Sequence, residues 1–474
     1  MNVTLRALNR FGLGARQGER QRISDARGWL KAQLDGGAPA VRATESTSPT
    51  AIGDAVRALR MPGQRDDQQR REARRRLVEV AASEARAALD VRVTSDRPFV
   101  ERLVAFWSNH LCVSAGAKVL VAPLAGSYER DVIRPHVLGR FEDMVLASAR
   151  HPAMLAYLDN FQSIGPSSQG ARVGQRNNGA RRGLNENYAR ELLELHTLGV
   201  NGGYTQEDVQ ELARILTGWT IAGIAGPGAA RFQARPGARG QGGAARRVRT
   251  EPSGPLGFAF QEFLHEPGAK TVLEQRYKED GVAEGERAIR VLCGHPSTAR
   301  HVATKLATHF ISDDPPPAAV DRLARAFRSS EGDLKAVATA LIQEPEAWRD
   351  EARKFRTPQD WFVAVLRGFG LNDVNPNAPA LLRQLRQPLW SPPSPKGFGD
   401  SMSEWADPDS LLNRGELART ISRLPSVAAV DPRSLLDVVD VPAGNPLQTL
   451  VTDNSIPARE RVALAIAGPA FQWR

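Results

Sequence analysis

Eight residues in two short stretches have the types and spacing that acid–base or anion-binding chemistry requires. Asn109 and His110 close the apolar segment FVERLVAFWSNHL, and Asn185, Glu186, Arg190, Glu191, Glu194 and His196 fall within NENYARELLELH. An imidazole changes charge near neutral pH. A carboxylate beside it can orient it or take a proton, and a guanidinium holds an oxyanion through two parallel hydrogen bonds. The chemistry expected is a polar site for an anionic or polar ligand. In that site His196 and His110 converge through the core, Glu191 or Glu194 orients or deprotonates, and Arg190 clamps the anion. Carboxylate and imidazole also suit iron, manganese or zinc. The sequence has no HExxH and no paired ExxH of the di-iron bundles, so metal content and cofactor stay open.

The segment that must position most of these groups is 185–219, which reads as two helices joined by a glycine turn. The first is expected over 186–198, ended by Gly199 as a left-handed residue, with positive φ available at Gly202 and Gly203. Thr205 caps the second helix and Asp208 completes a capping box. At roughly 100° per residue, Val209, Leu212, Ala213, Ile215, Leu216 and Trp219 share one face of the second helix, an ordinary half-buried pattern. The first helix differs. Tyr188, Ala189, Leu192, Leu193, Leu195 and Gly199 form its apolar face, and Asn185 and His196 land in the middle of it. A polar group directed into packed apolar surface needs a hydrogen-bond partner.

Each of these residues also has a plainer account. Glu186, Arg190 and Glu194 at i, i+4 and i+8 form a surface ion-pair ladder worth on the order of a few tenths of a kcal/mol per pair. His196 would be a core histidine held by a main-chain oxygen. His110 in a last helical turn is favoured by the helix dipole. His151-Pro152 and His295-Pro296 have the pattern of a cap followed by proline at the first helical position. His301, Lys305 and His309 share a helix face, but the intervening cation and the i, i+8 gap argue against a two-histidine metal pair.

Around this segment the chain reads as all-α, a multi-helix globular fold with long Gly/Arg-rich loops. Its 474 residues, 41% hydrophobic, can bury a large core. Further helices are expected over 23–34, 65–89, from Pro98 to His110, and over 282–293, 296–311, 318–329, 334–343 and 358–369. Residues 165–183 and 222–257 read as mobile loops, and SPPSPKGFGD (391–400) as a rigid one. This suggests an N-terminal helical half (1–221), a low-complexity Arg/Gly loop (222–257) and a C-terminal helical half (258–474), with one continuous domain as the alternative. Cys112 and Cys293 form no CxxC pair. No apolar run approaches the roughly 18 residues of a membrane span, and the first residues lack a signal-peptide core. The expectation is a cytoplasmic chain with no leader of its own. The net charge of +10 is almost all arginine, which fits biased composition as well as an anionic partner. A nucleic-acid role is disfavoured: the two long loops hold one aromatic, Phe232, and so no stacking platform.

Several motifs occur in a fixed order: FGLGA (11–15), FWSNH (106–110), HPAMLAYLDN (151–160), LNENYARELLELHTLGVNGGYTQEDV (184–209) and LTGW (216–219). HEPGAK (265–270), HPSTAR (295–300), KFRTP (354–358) and QPLWSPPSPKG (387–397) follow, with Trp405 and Arg414. Over essentially the whole chain they resemble the bacterial family catalogued as domain of unknown function 1800. Departures are Glu266 where the family tends to have Asp, Glu274 where it usually has Gly, and a longer 222–257 loop. The resemblance implies a mostly helical fold and recurrence of the matched polar residues in relatives. It also implies a genomic companion, often exported with a twin-arginine leader and similar to the alkaline-phosphatase superfamily. It implies no reaction. Two classes of function remain: an enzyme or ligand-binding protein with the polar site described, or a non-enzymatic partner or escort of the exported companion that could leave the cell with it. In the second class the basic charge meets an acidic partner or cell-envelope polymer.

Overall fold

The computed structural model of the protein describes residues 2–42, 48–60, 67–176, 183–224, 256–372, 374 and 377–474. Helix dominates, and the fold is all-α. The helices that matter for the site are α1 (Asp67–Thr94), α2 (Pro98–His110), α3 (Asn187–Glu191), α4 (Gln206–Ile215), α5 (Val282–Gly294), α6 (Pro296–Phe310), α7 (Pro358–Gly368) and α8 (Pro408–Ile421). Their starts are written in the sequence. Proline occupies the first turn of α2, α6, α7 and α8, where its missing N–H costs no hydrogen bond. Thr357 caps α7, and His295 caps α6 by accepting the Ser297 N–H through Nδ1 at 3.1 Å. His151 caps the helix Pro152–Tyr157 in the same way.

Three local expectations are corrected. The first helix of the central hairpin is α-helical only over α3 and then continues as a π-helical turn, Leu192–His196. Residues 165–183, read as loop, contain the helix Gln169–Arg176, and 177–182 lie outside the described residues. Short strands exist: β1 (Trp219–Ile221) pairs antiparallel with β2 (Phe258–Phe260), and β3 (Lys270–Val272) with β4 (Gln275–Tyr277). Three-residue strands are too short to show the period-2 alternation by which strands are recognised. Most of the 222–257 loop, 225–255, lies outside the described residues.

Apolar side chains form two clusters. The larger gathers residues between Ala7 and Ala347, including Phe11, Phe99, Trp107, Phe141, Leu192, Trp219 and Phe310. The second joins Leu5, Leu8 and Leu13 to the end of α1, α7 and residues up to Phe471. FGLGA threads between them. Its Phe11 stacks on Trp348 at 4.9 Å, and its Gly12 and Gly14 carbonyls accept from the Arg102 and Arg367 guanidiniums at 2.7 and 2.8 Å.

The arginine excess therefore has a structural use. Arg102, Arg356, Arg367 and Arg414 are among the largest fully buried side chains. Five N–H donors in one planar group can satisfy several loop carbonyls at once. Arg367 also donates to the Val93 and Ser95 carbonyls, Arg356 to Phe471 and Arg414 to Arg356.

Two carboxylates anchor this positive interior. Glu129 meets Arg92 at 2.7 Å and Arg134 at 2.8 Å, and accepts from the Trp390 indole at 2.8 Å. Asp360 lies between Arg102 at 3.0 Å and Arg474 at 3.2 Å. Burial alone would raise both carboxyls. The paired guanidiniums outweigh it, bringing Glu129 down to about 2 and holding Asp360 well below the usual carboxylate range. Removing one member of such a group leaves buried charge uncompensated, at a cost of about 3–5 kcal/mol. Asp360→Ala is therefore expected to lower the unfolding free energy measured by chemical denaturation by an amount in that range, whereas Glu186→Ala, in the half-buried pair with Arg190, is expected to change it by less than about 0.5 kcal/mol.

Candidate functional site

The central hairpin is held from its buried side by histidines on other helices. A π turn at a helix end leaves carbonyls with no intrahelical donor. Three side chains fill that need: Thr197 Oγ1 donates to the Leu192 carbonyl at 2.6 Å, His301 Nε2 to Leu195 at 3.0 Å, and His110 Nε2 to His196 at 3.1 Å. Gly199, at φ +85°, lets His301 approach: a Cβ there would stand 2.9 Å from its Nδ1. Gly203 takes positive φ as expected and Gly202 does not. Thr205 and Asp208 form the capping box.

His110 and His196 thus come together, but through a main-chain oxygen rather than ring to ring. The His196 ring lies beside Tyr188 at 6.4 Å, and its Nε2 is buried without a partner. Burial first, then Lys305 and His301, push His196 down to about 3. His110 is lowered by the same burial and cations. Both imidazoles are neutral at physiological pH.

The other hairpin candidates are placed as follows. Arg190 pairs with Glu186 at 3.2 Å and donates to Gln206 at 2.8 Å. Glu194 accepts from Tyr204 at 3.3 Å. Glu191 is half-buried, its carboxyl raised by burial and by Glu194. Asn185 accepts the Asn187 N–H at 2.9 Å and donates to the Asp159 carbonyl at 3.3 Å. None of these five residues faces the cleft to which Asn109 and His110 belong.

That cleft, of about 290 Å³, is the candidate site. Its walls are the end of α2 (Phe106, Asn109, His110), one face of α6 (Thr304, Lys305, Thr308, His309), the start of α7 (Thr357, Gln359, Asp360) and the loop 391–401. The loop is laced onto the chain at the end of α2. Asn109 donates to the Phe398 carbonyl at 2.9 Å and accepts its N–H at 2.8 Å. Cys112 and Ser114 donate to the Pro395 and Pro392 carbonyls, and the Ala115 N–H to Trp390. Gly397, at φ +87°, is required because a Cβ would meet the Asn109 carbonyl at 2.5 Å.

The loop brings Asp400 to His309. The His309 Nδ1–H donates to Asp400 Oδ2 at 2.8 Å, and His309 Nε2 has no partner. Beneath them the fully buried Lys354 donates to the Asp400 carbonyl at 2.6 Å and pairs with Asp313. Burial lowers His309 although Asp400 works the other way, so its Nε2 carries a lone pair. Lys305 and Lys396 line the cleft and make no hydrogen bond or ion pair among the described residues. Burial lowers Lys305; Cys112 and Asp400 oppose this and Lys396 adds to it. A neutral imidazole held by a carboxylate can accept a proton, and two cations without counter-ions can hold an anion. Among the described residues, no three His, Cys, Asp or Glu groups converge as a metal site.

A family model described as protein of unknown function (DUF1800) matches residues 6–473, essentially the whole chain. The chain belongs to the DUF1800 family. No curated protein and no solved structure matches it. In this DUF1800 chain the separated motifs meet: FWSNH, KFRTP and QPLWSPPSPKG all border the one cleft, and HPSTAR opens the helix that supplies its lysine and histidine.

Sequence reasoning named Asn109 and His110 and missed Lys305, His309, Asp360, Lys396 and Asp400 as members of one site. The signal in the sequence is the His301, Lys305, His309 row on one helix face, which points to two of them.

Two outcomes follow. Asn109→Ala removes both bonds to Phe398 and is expected to increase amide exchange across 391–401 while that of α4 stays unchanged. His196 titrates at 6.5 when unfolded and at about 3 when folded. Its neutral form is the buried one, so stability is full above pH 6.5 and declines as pH falls toward 3, by about 1.4 kcal/mol per unit for each such group. His196→Gln is expected to flatten that decline in unfolding measured from pH 7 to 4.

Proposed function

We propose that this protein binds a small anionic ligand in the cleft between α2, α6, α7 and the 391–401 loop, and that His309, oriented by Asp400, exchanges a proton with it. The observation that carries this reading is the pair Lys305 and Lys396, which face one cavity and make no ion pair among the described residues. The nearby carboxylates already face other cations, Asp360 those of Arg102 and Arg474 and Asp400 those of Lys354 and Arg474; Glu404 stands exposed at the rim. A cation in a partly dehydrated cleft attracts an anion more strongly than one in open water. The hairpin takes a supporting part: the His196 carbonyl holds His110 in the cleft wall, and the Leu195 carbonyl holds His301 on the helix that supplies Lys305 and His309.

The test is thermal unfolding with a panel of small oxyanions, namely inorganic phosphate and two- to four-carbon carboxylates. A ligand at a hundred times its Kd adds about 2.7 kcal/mol to stability. At least one compound is expected to raise the Tm by several degrees. Lys396→Met, an exposed position, should abolish that rise and leave the unliganded Tm in place. A panel without effect on the wild-type protein, or a rise that survives Lys396→Met, overturns the proposal.

A further inference from the structure

The chain contains eight lysines among 63 basic residues; two of them, Lys305 and Lys396, line this one cleft, and a third, Lys354, lies buried behind its Asp400. Elsewhere the interior takes most of its positive charge from arginine: Arg102, Arg356, Arg367 and Arg414 all sit in hydrogen bonds, and the buried Lys270 is held as an ammonium by Glu284 at 2.9 Å. A guanidinium does not give up its proton in proteins, whereas a primary amine does and is then a nucleophile. Two conditions favour the free amine: an apolar surrounding and a neighbouring cation. Lys305 has both. Phe106 and Phe398 share its cavity, and Lys396 lies in the same space. No hydrogen bond or ion pair among the described residues holds Lys305 as an ammonium. One helical turn on, His309 carries a buried Nε2 without a partner, its ring fixed through Asp400.

We propose that Lys305 condenses with an aldehyde or ketone that carries a carboxylate, such as a 2-oxo acid, while Lys396 holds the carboxylate. The proposal rests on the anionic-ligand reading and adds a covalent step to it. The Lys305 Nζ lone pair attacks the carbonyl carbon, and the C=O π pair moves to oxygen. Nζ passes one proton to His309 Nε2, which delivers it to that oxygen, giving a carbinolamine. The nitrogen lone pair then expels the hydroxyl, which leaves as water with the second Nζ proton, again carried by His309, and the products are an imine and one water. Nothing is oxidised or reduced. The imine withdraws electrons from the adjacent carbon, so proton or carbon–carbon bond exchange at that carbon is the reaction class that follows.

The experiment uses the full chain with pyruvate and, separately, glyoxylate at neutral pH, and sodium cyanoborohydride to reduce any imine. The expected result is one reduced adduct per chain, mapped by peptide mass spectrometry to Lys305 ahead of the exposed Lys335. Lys396→Met should raise the pyruvate concentration for half-labelling at least tenfold while Lys305 remains the labelled residue. Labelling spread over surface lysines with Lys305 unmodified overturns the proposal, and the map of the unsubstituted protein decides this without any variant. If oxyanions still raise the Tm while Lys305 is not trapped, the amine chemistry falls and the anion site stands. If neither occurs, both fall.

Discussion

The rest of the structure depends on the charge placed at Asp360. One buried carboxylate lies between Arg102 of α2 and Arg474, and those guanidiniums reach onward to the Gly12 carbonyl and to the Arg10 and His309 carbonyls. Two apolar clusters that would otherwise meet only through greasy contact are thereby keyed to one register. Hydrophobic burial supplies most of the driving force but is non-directional. Directed N–H···O bonds from a planar group choose which of many apolar packings is occupied.

The cleft is a consequence of that keying. With the start of α7 drawn toward α2, and α6 crossing beside them, the space left is too polar to fill with aliphatic side chains. The Pro/Gly loop closes it from outside, fastened by Asn109. The same economy explains the hairpin. Its π turn exposes carbonyls inward, and the histidines that satisfy them stand on the two helices that wall the cleft. A stable hairpin and a polar cavity are therefore one arrangement seen from two sides.

Much of this was legible beforehand. The helices, their proline starts, the Thr205–Asp208 box and the left-handed Gly199 all follow from rules acting over four or five residues. His196 was correctly placed inside the packed face by its position on the helix, and it is buried. The π turn was not legible, because its hydrogen bonds reach one residue farther than the pattern that periodicity detects.

The sequence by itself determined a helical protein, the proline starts of several of its helices, that His196 points into the packed side, and its membership of a family. Only tertiary structure decided that Asn109, Lys305, His309, Asp360 and Asp400 share one cavity. Apart from Lys305 and His309, which one helix face pairs, they are separated by tens to hundreds of residues, and no local rule couples such positions. Their meeting depends on buried ion pairs and loop bonds that exist only once α2, α6 and α7 have packed. The hairpin's Glu186, Arg190 and Glu194 were visible for the opposite reason: i, i+4 spacing is a local signal, and it reports a surface ladder as readily as a site.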